Sequence, residues 1–197
     1  MSKTPITGLE WKVSEDDLKF FISSKFDERF SGQVHRMDVS SYSGEFNVTV
    51  ELPEGLPGAK ELGEQIEADL QSRGLRILIL VVELPPLRCS FTLGQQTYDL
   101  EIQPAGAENY FSEKFRCLIT RGTEVWEGFI VLSDTVAATL DYYTSLPERR
   151  AKLVLKLFSA VLSERENVWK LVPQPFRLEL GASDVDRYET YFREWLG

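Results

Sequence analysis

Histidine is almost absent from this chain: His35 is the only one. A multi-histidine metal site is therefore excluded, and a Ser-His-Asp or Cys-His centre would have to use His35 itself. His35 shares strand parity with Met37 and Val39, so an inward-pointing, hydrogen-bonded structural role is expected for it. Cysteine is scarce as well. Cys89 and Cys117 belong to no motif, and neither falls at a helix N-terminus or a strand-to-helix elbow, where a thiolate would be stabilised. Both lie on the apolar parity of strand-like segments, Cys89-Phe91-Leu93 and Phe115-Cys117-Ile119. Two buried thiols in a reducing compartment are expected, with a bridge between adjacent strands as the alternative.

Positive charge is also short. Lys and Arg number 22 against 31 Asp and Glu, for a formal charge of −9. This disfavours general binding to nucleic-acid phosphates and to anionic membranes, since both want a basic surface. It leaves good solubility, or a basic protein partner. No apolar run reaches membrane-spanning length, and MSKTPITGLEWK carries no signal-type apolar region, so a soluble cytoplasmic protein is expected. HExxH, DxDxDG and P-loop patterns are missing; the glycines between Gly55 and Gly63 precede a helix but lack the GKS/T ending. No metal and no cofactor is expected.

What the chain has is enough apolar matter for a core. Hydrophobic residues make up 43%, and twelve Phe, seven Tyr and four Trp argue against disorder. A length of 197 residues suits a single α+β domain over 1–197, with one conceivable boundary at Pro85-Pro86. The most apolar stretch, RILILVVE at 76–83, has six consecutive aliphatics fenced by Gly74 and the two prolines. It reads as a central strand covered on both faces, and one continuous sheet is expected around it.

In chain order, residues 6–13 suggest an entry strand or arm. Ser14 and Asp17 form a capping box for a helix whose apolar positions run from Leu18 to Phe30. Two strands follow, Val34–Ser40 and Glu45–Leu52. The second alternates cleanly, with Phe46, Val48, Val50 and Leu52 inward and Glu45, Asn47, Thr49 and Glu51 wet. A solvated helix runs from Gly58 to Arg73 and feeds the 76–83 strand. This order of helix, strand, strand, helix, strand resembles part of a ferredoxin-like plait. In element order it is also similar to the soluble domain of cation-efflux transporters, although a single histidine cannot build that family's metal site.

Past the prolines the pattern turns antiparallel. Hairpins form about Gly94-Gln95 and Arg121-Gly122, with Tyr98, Leu100 and Ile102 inward. Helices follow at Asp134–Thr144 and Pro147–Glu164. An irregular stretch, an edge strand at Phe176–Leu180 and a terminal helix capped by Ser183 complete the chain. The fold class is thus α+β: a mixed, mostly antiparallel sheet, a plait-like N-terminal half, two β-hairpins, and C-terminal helices packed on the sheet.

The carboxylate pairs Asp99/Glu101 and Glu51/Glu54 have the residue types of glycosidase chemistry, but they fall on a wet strand face and in a turn. Arg149, Arg150, Lys152 and Lys156 form the one local basic cluster; a solvated helix face is its plainest meaning, and no nucleic-acid binding is expected from it. The terminal helix carries Val185, Tyr188, Tyr191, Phe192, Trp195 and Leu196 on one face, to dock on its own sheet or on a partner. Tyr110 and Phe111 are the large apolar members of the polar loop 104–112, which makes them the leading protein-contact residues. No catalytic residue stands out.

Together these features favour a non-enzymatic, acidic, cytosolic protein-interaction module: an adaptor, inhibitor or immunity-type protein with a protein partner. In acidity and in mixing helices with a twisted sheet the chain is similar to small acidic secretion chaperones, though longer. One alternative is a small enzyme or ligand-binding domain using carboxylate, Tyr or Arg groups in a pocket. Another is a subunit of a larger assembly that associates through a strand edge.

Overall fold

The computed structural model describes residues 13–106 and 112–197. In chain order the elements are α1 (Glu15–Phe30), β1 (Arg36–Tyr42), β2 (Glu45–Pro53), α2 (Ala59–Ser72), β3 (Arg76–Leu84), β4 (Leu87–Leu93), β5 (Gln96–Ala105), β6 (Glu113–Arg121) and β7 (Glu124–Leu132). Then come α3 (Asp134–Tyr143), α4 (Pro147–Glu164), a 3-10 turn at Glu166–Val168, β8 (Phe176–Leu180) and α5 (Ala182–Leu196). The fold is α+β, with helices packed on two mixed, mostly antiparallel sheets.

The first sheet has the order β1-β2-β3. β1 and β2 are an antiparallel hairpin turned at Ser43 and Gly44, both at positive φ, as the twist of a tight hairpin requires. β2 and β3 run parallel, joined by α2. The capping box of α1 forms as the sequence predicts: Ser14 Oγ accepts the Asp17 N–H and Asp17 Oδ2 accepts the Ser14 N–H, each at 3.1 Å. Leu18, Ile22 and Phe26 of α1 and Ala59, Ile66 and Leu70 of α2 close one side of the sheet over Val48, Val50, Ile77 and Ile79. Gly63 lets α2 lie close on β3, because a Cβ there would stand 2.6 Å from Val81 Cγ2.

The second sheet has the order β4-β5-β6-β7-β8. β4 to β7 are an antiparallel meander, and β8 returns parallel to β7 after α3 and α4. On α4, Leu153, Val154, Leu157, Phe158, Val161 and Leu162 are all buried against this sheet, each contributing about 1.5–3 kcal/mol of transfer free energy. The irregular stretch before β8 is anchored by Trp169. Its Nε1 donates to the Leu162 carbonyl at 2.9 Å, and its ring meets Phe91, Tyr98 and Trp126 at centroid distances of 5.3–6.0 Å.

Four expectations change. The 76–84 strand is an edge, not a centre; β2 holds the middle of its sheet. One face of β3 is open, with Leu78 58% and Leu80 56% exposed. Its alternation is real, but leucine occupies the wet positions while isoleucine and valine fill the dry ones. The sheet is not continuous either. It divides between Leu84 and Leu87, where two prolines without N–H groups interrupt the ladder, and each half gathers its own apolar cluster. Glu51 is not on a wet face, because the second half covers the end of β2 where it sits. Last, α5 starts two residues earlier than Ser183 implies: Asp184 Oδ2 accepts the Gly181 N–H at 2.9 Å, and Gly181 is the cap.

Candidate functional site

Tyr110 and Phe111, the leading contact residues by sequence, lie outside the described residues. The nearest described residues, Gly106 and Ser112, both sit where the two halves meet. Gly106 presses on the end of α1, where an added Cβ would fall 1.1 Å from the Gly32 carbonyl oxygen. Ser112 is buried beside Glu113.

At that junction five elements converge on a charged cluster. His35, just ahead of β1, is 2% exposed. Its Nδ1 lies 3.1 Å from the Ala105 carbonyl and its Nε2 3.6 Å from Glu113 Oε2, while Phe115 meets the ring edge-on at 4.7 Å. Arg36 of β1 donates to Asp141 of α3 at 3.0 Å and pairs with Asp38 at 2.8 Å. Arg150 of α4 donates to Asp141 at 2.7 Å and to Glu113 at 2.5 Å. The sequence placed Arg150 on a solvated face. Only Arg149, Lys152 and Lys156 stay there, because residue 150 is turned about a hundred degrees from 149 toward the junction.

The electrostatics follow from burial against pairing. Burial alone would raise the Glu113 pKa, but the neighbouring His35 and the hydrogen-bonded Arg150 guanidinium outweigh it and hold it down at about 2. Burial alone would lower Arg36 and Arg150, but Asp141 and Glu113 hold both above the ordinary arginine value. At Glu51 burial wins and raises the pKa, with Arg36, His35 and Arg150 pulling the other way. Glu113, the most enclosed carboxylate here, is thus committed to Arg150, whereas Glu51 keeps the raised pKa that burial gives it. A general acid must carry a proton near neutral pH, and Glu113 does not. The cluster is a latch between the halves.

A second feature lies on the helical side. Ser133 Oγ caps α3, and α3 ends in two adjacent tyrosines. Successive helical positions diverge by about 100°, so Tyr143 turns to α5 while Tyr142 stays 82% exposed. The rings form a path: Tyr142 to Tyr143 at 5.6 Å, Tyr143 to Phe192 at 5.3 Å, Phe192 to Trp195 at 5.7 Å, and Trp195 to Tyr191, stacked, at 5.9 Å. Phe192 and Tyr188 are buried in the chain's own core, whereas Tyr191 is 49% exposed. Tyr143 Oη donates to Glu189 Oε1 at 2.9 Å, and that bond raises its pKa. Burial and the Glu164 hydrogen bond push Tyr188 up to about 12. The terminal helix therefore docks on its own core, with Tyr191 left on its outer side. Of the six acidic residues of α3 and α5, Asp141 is held in the latch and Asp184 is buried against Arg165, which leaves Asp134, Asp186, Glu189 and Glu194 beside Arg187 and Arg193.

No protein-family model, curated protein or solved structure matches this chain.

Other places on the surface offer less. A cavity of about 320 Å³ is lined by Gly55 to Glu61 and Glu83, at the start of α2, and Lys60 stands 3.7 Å from Glu83 across it. Asp99 and Glu101 are on an exposed strand face, where they accept from Ser90 and Arg88. Among the described residues no three His, Cys, Asp or Glu side chains gather as metal ligands, and no helix is long and apolar enough to cross a membrane. Cys89 and Cys117 are both free, on β4 and β6 with β5 between them. Sequence reasoning missed Tyr142, although the Tyr-Tyr pair at a helix end was the available signal.

Proposed function

We propose that this chain is a non-enzymatic protein-interaction module that grips a basic partner protein through the acidic, aromatic face of α3 and α5. The continuous ring path from Tyr142 to Tyr191 carries this reading, because its outer rings stand in water while its middle is fixed in the core. Tyr and Trp dominate interface hot spots, and rings held by their neighbours lose little freedom on binding. A net charge of −9 and the acidic excess of the two helices favour a partner bearing Lys or Arg, whose cations would lie over exposed tyrosine faces. Cytoplasmic action belongs to the same reading, since both thiols are free, as a reducing compartment keeps them.

The test starts with capture from the source lysate by the tagged chain, read by mass spectrometry. The stoichiometric protein is then purified and titrated against three proteins: the wild type, Tyr142→Ser/Tyr191→Ser, and Tyr110→Ser/Phe111→Ser. Loss of two hot-spot side chains predicts affinity weaker by a factor of about 100 or more in the first variant. A falling affinity with added salt would match the charge argument. Equal binding by wild type and the Tyr142/Tyr191 variant would sink this face. An eluate with no stoichiometric protein would count against the interaction reading and move attention to small ligands by thermal shift.

A further inference from the structure

Two hydrogen bonds run from α2 to the outer edge of β3. The odd residues of β3 turn their backbone groups away from β2. Gln71 Nε2 donates to the Ile77 carbonyl at 2.8 Å, and Glu67 Oε2 accepts the Ile79 N–H at 2.7 Å. The even residues turn toward β2, where the Leu84 carbonyl accepts the Glu54 N–H at 3.0 Å. Glu67 and Gln71 also bond each other at 3.1 Å, one helical turn apart. One carboxylate and one carboxamide thus take the acceptor and donor places that a neighbouring strand would fill. They do so on a strand that exposes Leu78 and Leu80, the kind of edge to which other chains add.

We infer that the Glu67–Gln71 pair is a guard that keeps β3 from adding to the β3 of a second copy of this chain. The strand is self-complementary. Antiparallel pairing centred on Ile79 sets Ile77 against Val81 of the second copy and Ile79 against Ile79. Ile77, Ile79 and Val81 of each strand then become members of hydrogen-bonded pairs. The same register sets Leu78 against Leu80 twice, as non-hydrogen-bonded pairs, where cross-strand side chains lie closest. Parity is kept, so Ile77, Ile79 and Val81 remain under the helices in both copies. Four leucines that now face water would form one cluster, and two three-stranded sheets would become one of six strands. A foreign extended segment would bring no such matched leucine pair, so the second copy is the occupant that the strand itself specifies.

The test is the double variant Glu67→Ala/Gln71→Ala. Alanine is the best helix former, so α2 is preserved. In sedimentation over rising concentration, the variant is expected to double in mass where the wild type does not. Hydrogen exchange should then show new protection at Val81. Adding Leu78→Lys/Leu80→Lys should return it to the monomer mass, and Glu67→Gln, which keeps an acceptor for the Ile79 N–H, should match the wild type. The register has its own readout in a Cys89→Ser background of the double variant: Leu78→Cys and Leu80→Cys proteins should cross-link when mixed and much less when alone. A folded double variant that stays monomeric overturns the inference. So does association that the lysines leave intact, or a wild type already paired through β3. Should the double variant not fold, Glu67→Ala alone is read in the same way.

Discussion

Glu113→Gln should weaken the join between the halves of the molecule more than any change on its surface. The Glu113 side chain is 6% exposed and faces Arg150 at 2.5 Å, His35 at 3.6 Å and Arg36 at 3.7 Å. Breaking a buried ion pair by removing one partner costs about 3–5 kcal/mol. Glutamine keeps the volume and one acceptor oxygen, and Arg150 keeps Asp141, so the lower end, about 3 kcal/mol, is expected. A second route gives a similar figure. Glu113 falls from 4.5 to about 2 on folding, which at about 1.4 kcal/mol per unit is roughly 3 kcal/mol. The sign follows from a depressed folded-state pKa. The contribution is complete above the unfolded value of 4.5 and drains away as pH falls toward about 2. Urea unfolding followed by circular dichroism would measure it. With a slope of about 2 kcal/mol per molar, the midpoint should drop by about 1.5 M near neutral pH, and the gap from wild type should close in acid. A midpoint within about 0.3 M of wild type, or a gap that persists unchanged in acid, would refute the electrostatic account of this latch.

Gly106→Ala puts a Cβ 1.1 Å from the Gly32 carbonyl; a loss of about 3 kcal/mol, seen as a melting point lower by about 6–12 °C, is expected. Phe192→Ala should cost about 3–5 kcal/mol, whereas Tyr142→Ala, at the exposed end of the same ring path, should stay within about 0.5 kcal/mol in chemical denaturation. In the folded protein Ellman's reagent should label Cys89 alone. Burial pushes the Cys117 thiol far above its ordinary value, so it should react only on unfolding.

Local signals in the sequence translated directly. The Ser14–Asp17 box, the Gly94 and Gly122 hairpins, the Tyr98-Leu100-Ile102 alternation and the wide stripe on α4 each depend on neighbours within one element, and each appears where its spacing puts it. What stayed hidden depends on distant partners. Ile77 to Val82 looks dry on both faces because aliphatic composition does not reveal which side has a cover. His35, Glu51, Glu113, Asp141 and Arg150 are ordinary residues of five separate segments, and no spacing joins residue 35 to residue 150. Arg150 looks solvated within its own helix until α3 and β6 are placed beside it. Tyr142 differs from Tyr143 only through the direction in which α5 lies. Glu67 and Gln71 read as ordinary solvated helix residues, since only the position of the β3 edge gives them work.

The guard on β3 also has a place in time. Glu67 precedes Ile79 by twelve residues and Gln71 precedes Ile77 by six, whereas Arg36 must await Asp141, 105 residues later. Chains are made from the N-terminus, so the side chains that cover this edge leave the ribosome before the strand does. Neighbouring ribosomes on one message hold many copies of the same half-made chain at high local concentration. Every residue needed to cover the β3 edge is therefore present as soon as the strand emerges, long before the second half exists.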